Sequence, residues 1–361
     1  MPVSAWRLLR APVRKPLPPI QIIDPLEYPG WDKLILAFPN VSFFHSSYWL
    51  QVLADTYSYK PLCFCSGLDE SSPACIPLLE IKSAITGKRA VSLPFTDYCE
   101  PLASEPAQLH ELIVHIRDFG SEWGWKYVEF RGGQEFFTAH VPSSQFFGHV
   151  LHLTGGAEKL YAAFHGNTRR NIKKALKSGI QIDIGQSPEA VEQYYQLHCI
   201  TRQRHGAPPQ PKRFFNKIYE HVLAMRRGMV VLASYGGKPI AAAVYFHFGR
   251  KAIYKFGASD LTYQHLRAND LVMWEAIQWF CENGFETLCF GRTEKSNEGL
   301  RRFKNGWSPL EQHINYYRLD LLGKTSTTVG PAQQPWMEAV FRKLPLPILR
   351  VIGAAMYKHM G

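Results

Sequence analysis

The sequence predicts an α+β fold, an α/β mixed sheet assembled from two similarly ordered halves. Three observations predict it. Each half reads as an antiparallel meander, then a helix, a strand and a further strand. Residues 109–131 parallel residues 268–292, down to a Trp123-Gly124-Trp125 junction between helix and strand in one and Asn283-Gly284-Phe285 in the other. At 361 residues, 46% of them hydrophobic, the chain can bury the cores of two ordinary domains.

In the first half, 29–38 and 46–57 read as helices. The second opens on Ser46-Ser47 as a cap and carries Tyr48, Trp49, Val52 and Leu53 at helical spacing, which points to the core. Short strands follow at 62–66, 74–81 and 90–93, separated by Gly, Ser and Pro turns. Pro94 to Pro101 is a polar and aromatic loop holding Asp97 and Tyr98. An amphipathic helix over 109–123, a strand over 127–131 and another over 146–153 complete this half.

In the second half, 158–164 and a basic helix over 167–177 come first, the latter stopped by Gly179. Arg169, Lys173 and Lys177 recur every four residues on one stripe, with Ile172, Ala175 and Leu176 left to face the core. That stripe suits a phosphate-bearing substrate or a tRNA backbone, and suits a plain solvated face as well. A strand over 180–184, helices over 188–204 and 212–225, and a meander over 230–235, 239–248 and 252–258 follow. The half ends in a helix over 268–281 and strands over 287–290 and 313–320. The domain boundaries are therefore 1–19 (a basic, Pro-rich tail), 20–154, 155–322, and 323–361 (a linker and an amphipathic, basic C-terminal segment).

The formal charge of +11 implies a polyanionic partner: a phosphorylated small molecule, a lipid-linked substrate, a tRNA or an acidic membrane surface. Seven scattered cysteines with no C-x-x-C spacing suggest neither a disulfide framework nor a zinc site, and fit a reduced, cytoplasmic setting. His198 and Cys199, adjacent on a helix, do not face each other as a nucleophile and base would. His247 and His265 have no companion at metal spacing, so no metal is expected. The tail from Trp336 to Met360, broken by Pro345 and Pro347 into two short helices, either packs on the protein or lies at the inner face of a membrane.

The most informative stretch is 290–307. An apolar strand stops at Gly291, a basic loop follows, and a helical turn carries Arg301, Phe303, Lys304 and Trp307 towards the last strand. Fixed cations at the C-terminal end of a strand lie where open α/β sheets place ligands. Arg292 and Lys304 are thus candidates for holding an anion or a developing oxyanion. As plain surface cations they would merely flank a buried Phe and Trp. Asp97 reads either as a proton acceptor or as an Asx-turn residue.

These pieces together resemble the FemAB-like branch of the GNAT acyltransferase superfamily, including its bacterial members found with exopolysaccharide genes. The resemblance covers about residues 20–320. It rests on Phe44-His45-Ser46-Ser47-Tyr48-Trp49, on the loop 93–102, on Thr168-Arg169-Arg170-Asn171-Ile172-Lys173-Lys174-Ala175, on the run 266–277, and on Phe290-Gly291-Arg292 with Phe303-Lys304-Asn305-Gly306-Trp307. It implies two tandem GNAT-like domains with a cleft between them, and transfer of an acyl or aminoacyl group from acyl-CoA or aminoacyl-tRNA to an amine. The acceptor would be a sugar-nucleotide or lipid-linked envelope or exopolysaccharide precursor. It further implies Lys304 beside the tetrahedral intermediate, Asp97 assisting proton transfer and Arg292 stabilising charge. Arg169, Lys173, Arg267, Asn269, Tyr98 and Trp49 would bind substrate or cofactor. One departure stands out: the CoA-pyrophosphate signature Q/R-x-x-G-x-G/A reads Gln264-His265-Leu266-Arg267-Ala268-Asn269, with both glycines replaced.

Overall fold

The computed structural model describes residues 19–68, 73–103, 106–138, 140–322 and 335–361. Its strands are β1 (Ile20–Ile23), β2 (Lys60–Ser66), β3 (Ala74–Ser83), β4 (Gly87–Val91), β5 (Leu102–Ala103), β6 (Tyr127–Arg131), β7 (Ser144–His152), β8 (Gln181–Gly185), β9 (Gly228–Tyr235), β10 (Lys238–Phe248), β11 (Lys251–Ser259), β12 (Thr287–Glu294) and β13 (Leu310–Asp320). The helices are α1 (Trp31–Ile35), α2 (Ser47–Tyr57), α3 (Pro106–Glu122), α4 (Ala157–Ala163), α5 (Gly166–Leu176), α6 (Pro188–Arg204), α7 (Lys212–Ile218), α8 (Ala268–Glu282), α9 (Glu298–Asn305), α10 (Pro335–Lys343) and α11 (Leu346–Met356).

The strands form one mixed sheet, in the order β1-β2-β3-β4-β6-β13-β7-β12-β11-β10-β9-β8, with β5 on the flank of β3. Each half contains a three-strand meander and a helical crossover to a parallel strand: β4-α3-β6 in the first, β11-α8-β12 in the second. The last strands are exchanged. Strand β7 of the first half pairs with β12 of the second, and β13 of the second pairs with β6 of the first. The β7–β13 pair then joins the two halves into a continuous sheet.

Helices cover both faces, so central strands bury both sets of alternate side chains. On β10, Ala242, Val244 and Phe246 enter the core beneath α2, α6 and α7, while Ala241, Ala243 and Tyr245 enter the one beneath α5 and α8. A third cluster packs Leu109, Leu112 and Ile116 of α3 against Phe64, Leu78 and Phe130.

Local departures from expectation have physical causes. Ser46 occupies the cap position of α2, but its hydroxyl donates to Phe43 O. The carboxylate of Asp32 caps the helix instead, accepting from Ser47 N at 2.8 Å and from its Oγ at 2.5 Å. Leu176 lies on the outside of α5, 56% exposed, while Ile172 and Ala175 face inward. Strand β12 does not stop at Phe290 but kinks and continues to Glu294. The basic N-terminal tail and the 323–334 linker lie outside the described residues, save Pro19 at the tail's end.

Candidate active site

Parallel strands β11 and β12 pair only over Lys251–Ile253 and Thr287–Cys289. Beyond that point they splay, because each is bulged. On β11, Val244 faces Phe256 and Tyr245 faces Tyr254, which leaves Lys255 as the extra residue. On β12, Phe290 and Gly291 together face one residue of β7, with Gly291 in the left-handed region at φ 69°. The V so formed opens at the strands' C-terminal ends into a cavity of about 540 Å³. Asp97, Lys255, Arg292, Phe303 and Lys304 line its base, and Arg204 and His205 of the α6 end its side.

Lys304 is delivered by α9, which Asn297 caps by accepting from Leu300 N at 3.0 Å. Its ammonium, only 2% of the residue being exposed, donates to Gly291 O and Arg292 O at 3.0 Å each, two carbonyls beside the β12 bulge. Among the described residues only two of its three N–H groups thus find acceptors, and the side chain lines the cavity. Burial lowers its pKa to about 8, with Asp97 opposing and Lys255 and Arg292 adding to the fall. The other face of α9 is clamped to β13: Arg301 donates to both carboxylate oxygens of Glu311 at 2.7 and 2.8 Å and lies over the Phe147 ring.

Asp97 is the electrostatic hub. It accepts from Lys255 Nζ at 2.6 Å and from Arg292 N at 3.1 Å. Burial alone would raise its pKa, but the charge and hydrogen bond of Lys255, with Arg292, hold it below the usual carboxylate range. Burial pulls Lys255 down, against the pull of Asp97, and its ammonium sits 4.9 Å from the Phe44 ring centroid. Arg292 donates to Tyr316 Oη at 2.8 Å and stacks 4.4 Å from Phe146; Tyr316 in turn donates to Asp97 O at 2.8 Å. The site therefore holds three cations to one carboxylate, a positive wall for developing negative charge.

Of the residues picked from sequence, Asp97, Arg292, Lys304 and Asn269 reach this cavity. Trp49 does not: it is fully buried behind Lys255 among Phe43, Phe44, Phe214 and Phe246. Helical spacing puts it in the core, where its ring lies 5.8 Å from the Lys255 ammonium. Tyr98 instead lines a second hollow of about 330 Å³ with Glu100 and Lys251. Arg169 and Lys173 stand exposed on α5, outside the cavity lining.

Arg267 lies in a smaller adjoining hollow of about 170 Å³ at the start of α8, which shares Ser259, Gln264, Asn269 and Phe303 with the main cavity. Arg267 adopts φ 62° at the first of the two glycine positions of the pyrophosphate signature. Asn269 at the second bonds Ser259 Oγ at 3.2 Å. Asp260 and Asp270 also line the hollow, and burial pushes the Asp270 carboxyl up to about 6 while Asn171 donates to it. Two carboxylates against one arginine do not fit the pyrophosphate of CoA.

Lys255 went unrecognised in the sequence, and its one signal was a lysine inside the apolar run 252–258. Cys63, Cys65 and Cys75 gather within 4.8 Å of one another, the only such ligand group among the described residues; Cys75 joins through its register opposite Cys65. The three are buried in the core packed by α2, away from the cavity. His198 is satisfied by Gln210 at 2.7 Å.

The fold that carries this cavity has counterparts among known proteins. The family described as Acetyltransferase (GNAT) domain matches residues 162–305, which contain β10 to β12, α8 and α9. Residues 162–305 are thus similar to a GNAT-type acetyltransferase domain, and the chain shows homology to Fem-type proteins. A Weissella viridescens UDP-N-acetylmuramoylpentapeptide-lysine N(6)-alanyltransferase is 24% identical over 162 residues, 43% of this chain and 47% of the relative. The chain thus aligns with about half the length of that curated relative. The crystal structure of FemX superposes with a TM-score of 0.65 at 13% identity, covering 82% of this chain and 96% of its own. A tandem GNAT protein from the clavulanic acid biosynthesis pathway gives 0.53 at 8% identity, covering 85% and 100%. These likenesses establish the fold, two tandem GNAT-like units in one sheet. No helix among the described residues is long and apolar enough to cross a membrane.

Proposed function

We propose that this chain is a transferase that forms an amide bond, moving an aminoacyl group from the ester of an aminoacyl-tRNA to an amine on a phosphorylated cell-envelope precursor. The observation that carries the reading is the Lys304 ammonium, buried at the base of the splay with one N–H left for the cavity. In the step, the amine nitrogen attacks the ester carbonyl carbon and the oxygen turned towards Lys304 becomes an oxyanion. The C–O ester bond then breaks, and the proton lost by the amine goes to the departing ribose oxygen, directly or through water. Lys304 and Arg292 stabilise the oxyanion. Asp97 serves here as the anchor of Lys255 and of the Arg292 amide; a carboxylate so engaged, with a lowered pKa, is a poor proton acceptor.

An aminoacyl-tRNA is favoured over acyl-CoA by the two carboxylates in the pyrophosphate hollow and by the +11 charge. The Weissella relative, an alanyltransferase by name, supports the aminoacyl choice. The test is binding. Aminoacyl-tRNA is expected to bind and to weaken steeply between 50 and 200 mM salt, by roughly a hundredfold or more, while CoA leaves the melting temperature unchanged. Stabilisation by CoA with salt-insensitive or absent tRNA binding would refute the donor assignment.

A further inference from the structure

We propose that the outer face of α10 and α11 is a docking surface for an anionic lipid bilayer. The inner face is fixed to the body: Leu349 is fully buried, and Gly353 lies so close to Pro209 O that no Cβ would fit. The outer face is apolar where a surface helix is ordinarily polar. Ile348 is 48% exposed and Val351 71%, and with half-buried Ile352 and exposed Ala355 they form one stripe at helical spacing; Val340 of α10 is 45% exposed. The single charge on α11, Arg350, turns towards the body and lies over the Tyr195 ring.

Charge complementarity selects the occupant. Residues 335–361 hold the cations Arg342, Lys343, Arg350 and Lys358 against one acid, Glu338, which is itself bonded to Arg342. With Arg350 turned to the body and Arg342 bonded to Glu338, the exposed Lys343 and Lys358 are the cations left for acidic headgroups, and the apolar stripe suits the acyl boundary beneath them. Eleven helical residues span only about 16 Å, so the helix lies on the bilayer rather than crossing its ~30 Å core.

The patch adjoins the cavity. Gln203 donates to Leu344 O at 2.7 Å and Gly206 abuts the backbone of Glu338; between them Arg204 and His205 line the cavity's side. On the transfer reading above, an acceptor carried on a lipid would therefore meet the cavity from the bilayer surface; the docking itself does not depend on that reading.

Flotation of the full chain with vesicles tests this. The wild type is expected to float with phosphatidylglycerol-containing vesicles, to be released by high salt, and to stay unbound with pure phosphatidylcholine. Ile348→Glu/Val351→Glu is expected to bind about a hundredfold more weakly, since two apolar anchors are lost, with an unchanged melting temperature and unchanged turnover of a water-soluble amine. Equal flotation of wild type and variant, no flotation of the wild type, or binding indifferent to lipid charge would overturn the proposal. Loss of turnover of the soluble amine by the wild type would instead strike the transfer reading, leaving the vesicle result to stand by itself.

Discussion

Lys304 offers the sharpest test of the chemistry, because its two protonation states predict opposite pH profiles. Burial lowers its pKa to about 8. If the ammonium stabilises the oxyanion, about nine in ten molecules are active at pH 7 and about one in ten at pH 9, so kcat should fall close to tenfold across that interval. A neutral lysine acting as base would make the rate rise over the same range. Lys304→Met should cost roughly 100- to 1,000-fold in kcat, the usual loss for one oxyanion donor. Lys304→Arg should keep partial activity and lose the descending limb, because guanidinium does not titrate there. The stability signs can be worked separately. The folded pKa lies below the ordinary lysine value of 10.5, so the unfolded chain binds more protons between about pH 8 and 10.5 and stability rises with pH in that window. Lys304→Met should abolish that rise. At pH 7 it relieves a buried charge but strands two carbonyls, at about 1–3 kcal/mol each, and the variant should remain folded. The assay is kcat against pH at saturating substrates, paired with thermal unfolding. A rate that climbs through pH 8, or a Met variant within threefold of wild type, would refute the oxyanion role.

Other consequences are equally open to measurement. Asp97→Asn leaves Lys255 buried without its counter-charge and should cost about 3–5 kcal/mol in chemical denaturation. In the wild type the contribution of Asp97, whose folded pKa is depressed, should be present above pH ~4 and be lost on acidification below it. Gly291→Ala should reduce turnover sharply with a modest drop in melting temperature, since its φ is 69° and a Cβ would stand 2.8 Å from Asp97 Oδ1; unaltered kinetics would show that the bulge is not needed. Leu349→Ala should destabilise the docking of α11 by about 2–5 kcal/mol, visible as early proteolysis of the C-terminal segment.

Much of the fold was legible because the hydrophobic period changes cleanly. The strand at 127–131 and the helix at 188–204 run as the pattern predicts, and the repeated helix-Gly-strand junction announces the two crossovers. What periodicity cannot carry is long-range pairing: nothing local in 144–152 or 310–320 says that these strands change places between the halves. For the site, Arg292 and Lys304 stood out as cations where a strand ends, and Asp97 as a carboxylate in a proline-bounded loop. Lys255 was hidden because a bulge is a property of two strands, and only the register of β10 against β11 turns it into the cleft. For Trp49 and Tyr98, residue type and order within a motif cannot say which side of the chain a ring occupies. Arg267 shows a different limit: its backbone adopts the left-handed conformation of the glycine it replaces, so the shape of the turn survives while its anion-binding chemistry does not.

The central claim is amide-bond formation at the splay between β11 and β12, and product mass tests it most directly. Purified chain is incubated with alanyl-tRNA and an amine-bearing envelope precursor, and the precursor is weighed by mass spectrometry. The account predicts a gain of one alanyl residue with wild type and almost none with Lys304→Met. A precursor of unchanged mass with wild type, or equal modification by both proteins, would contradict it.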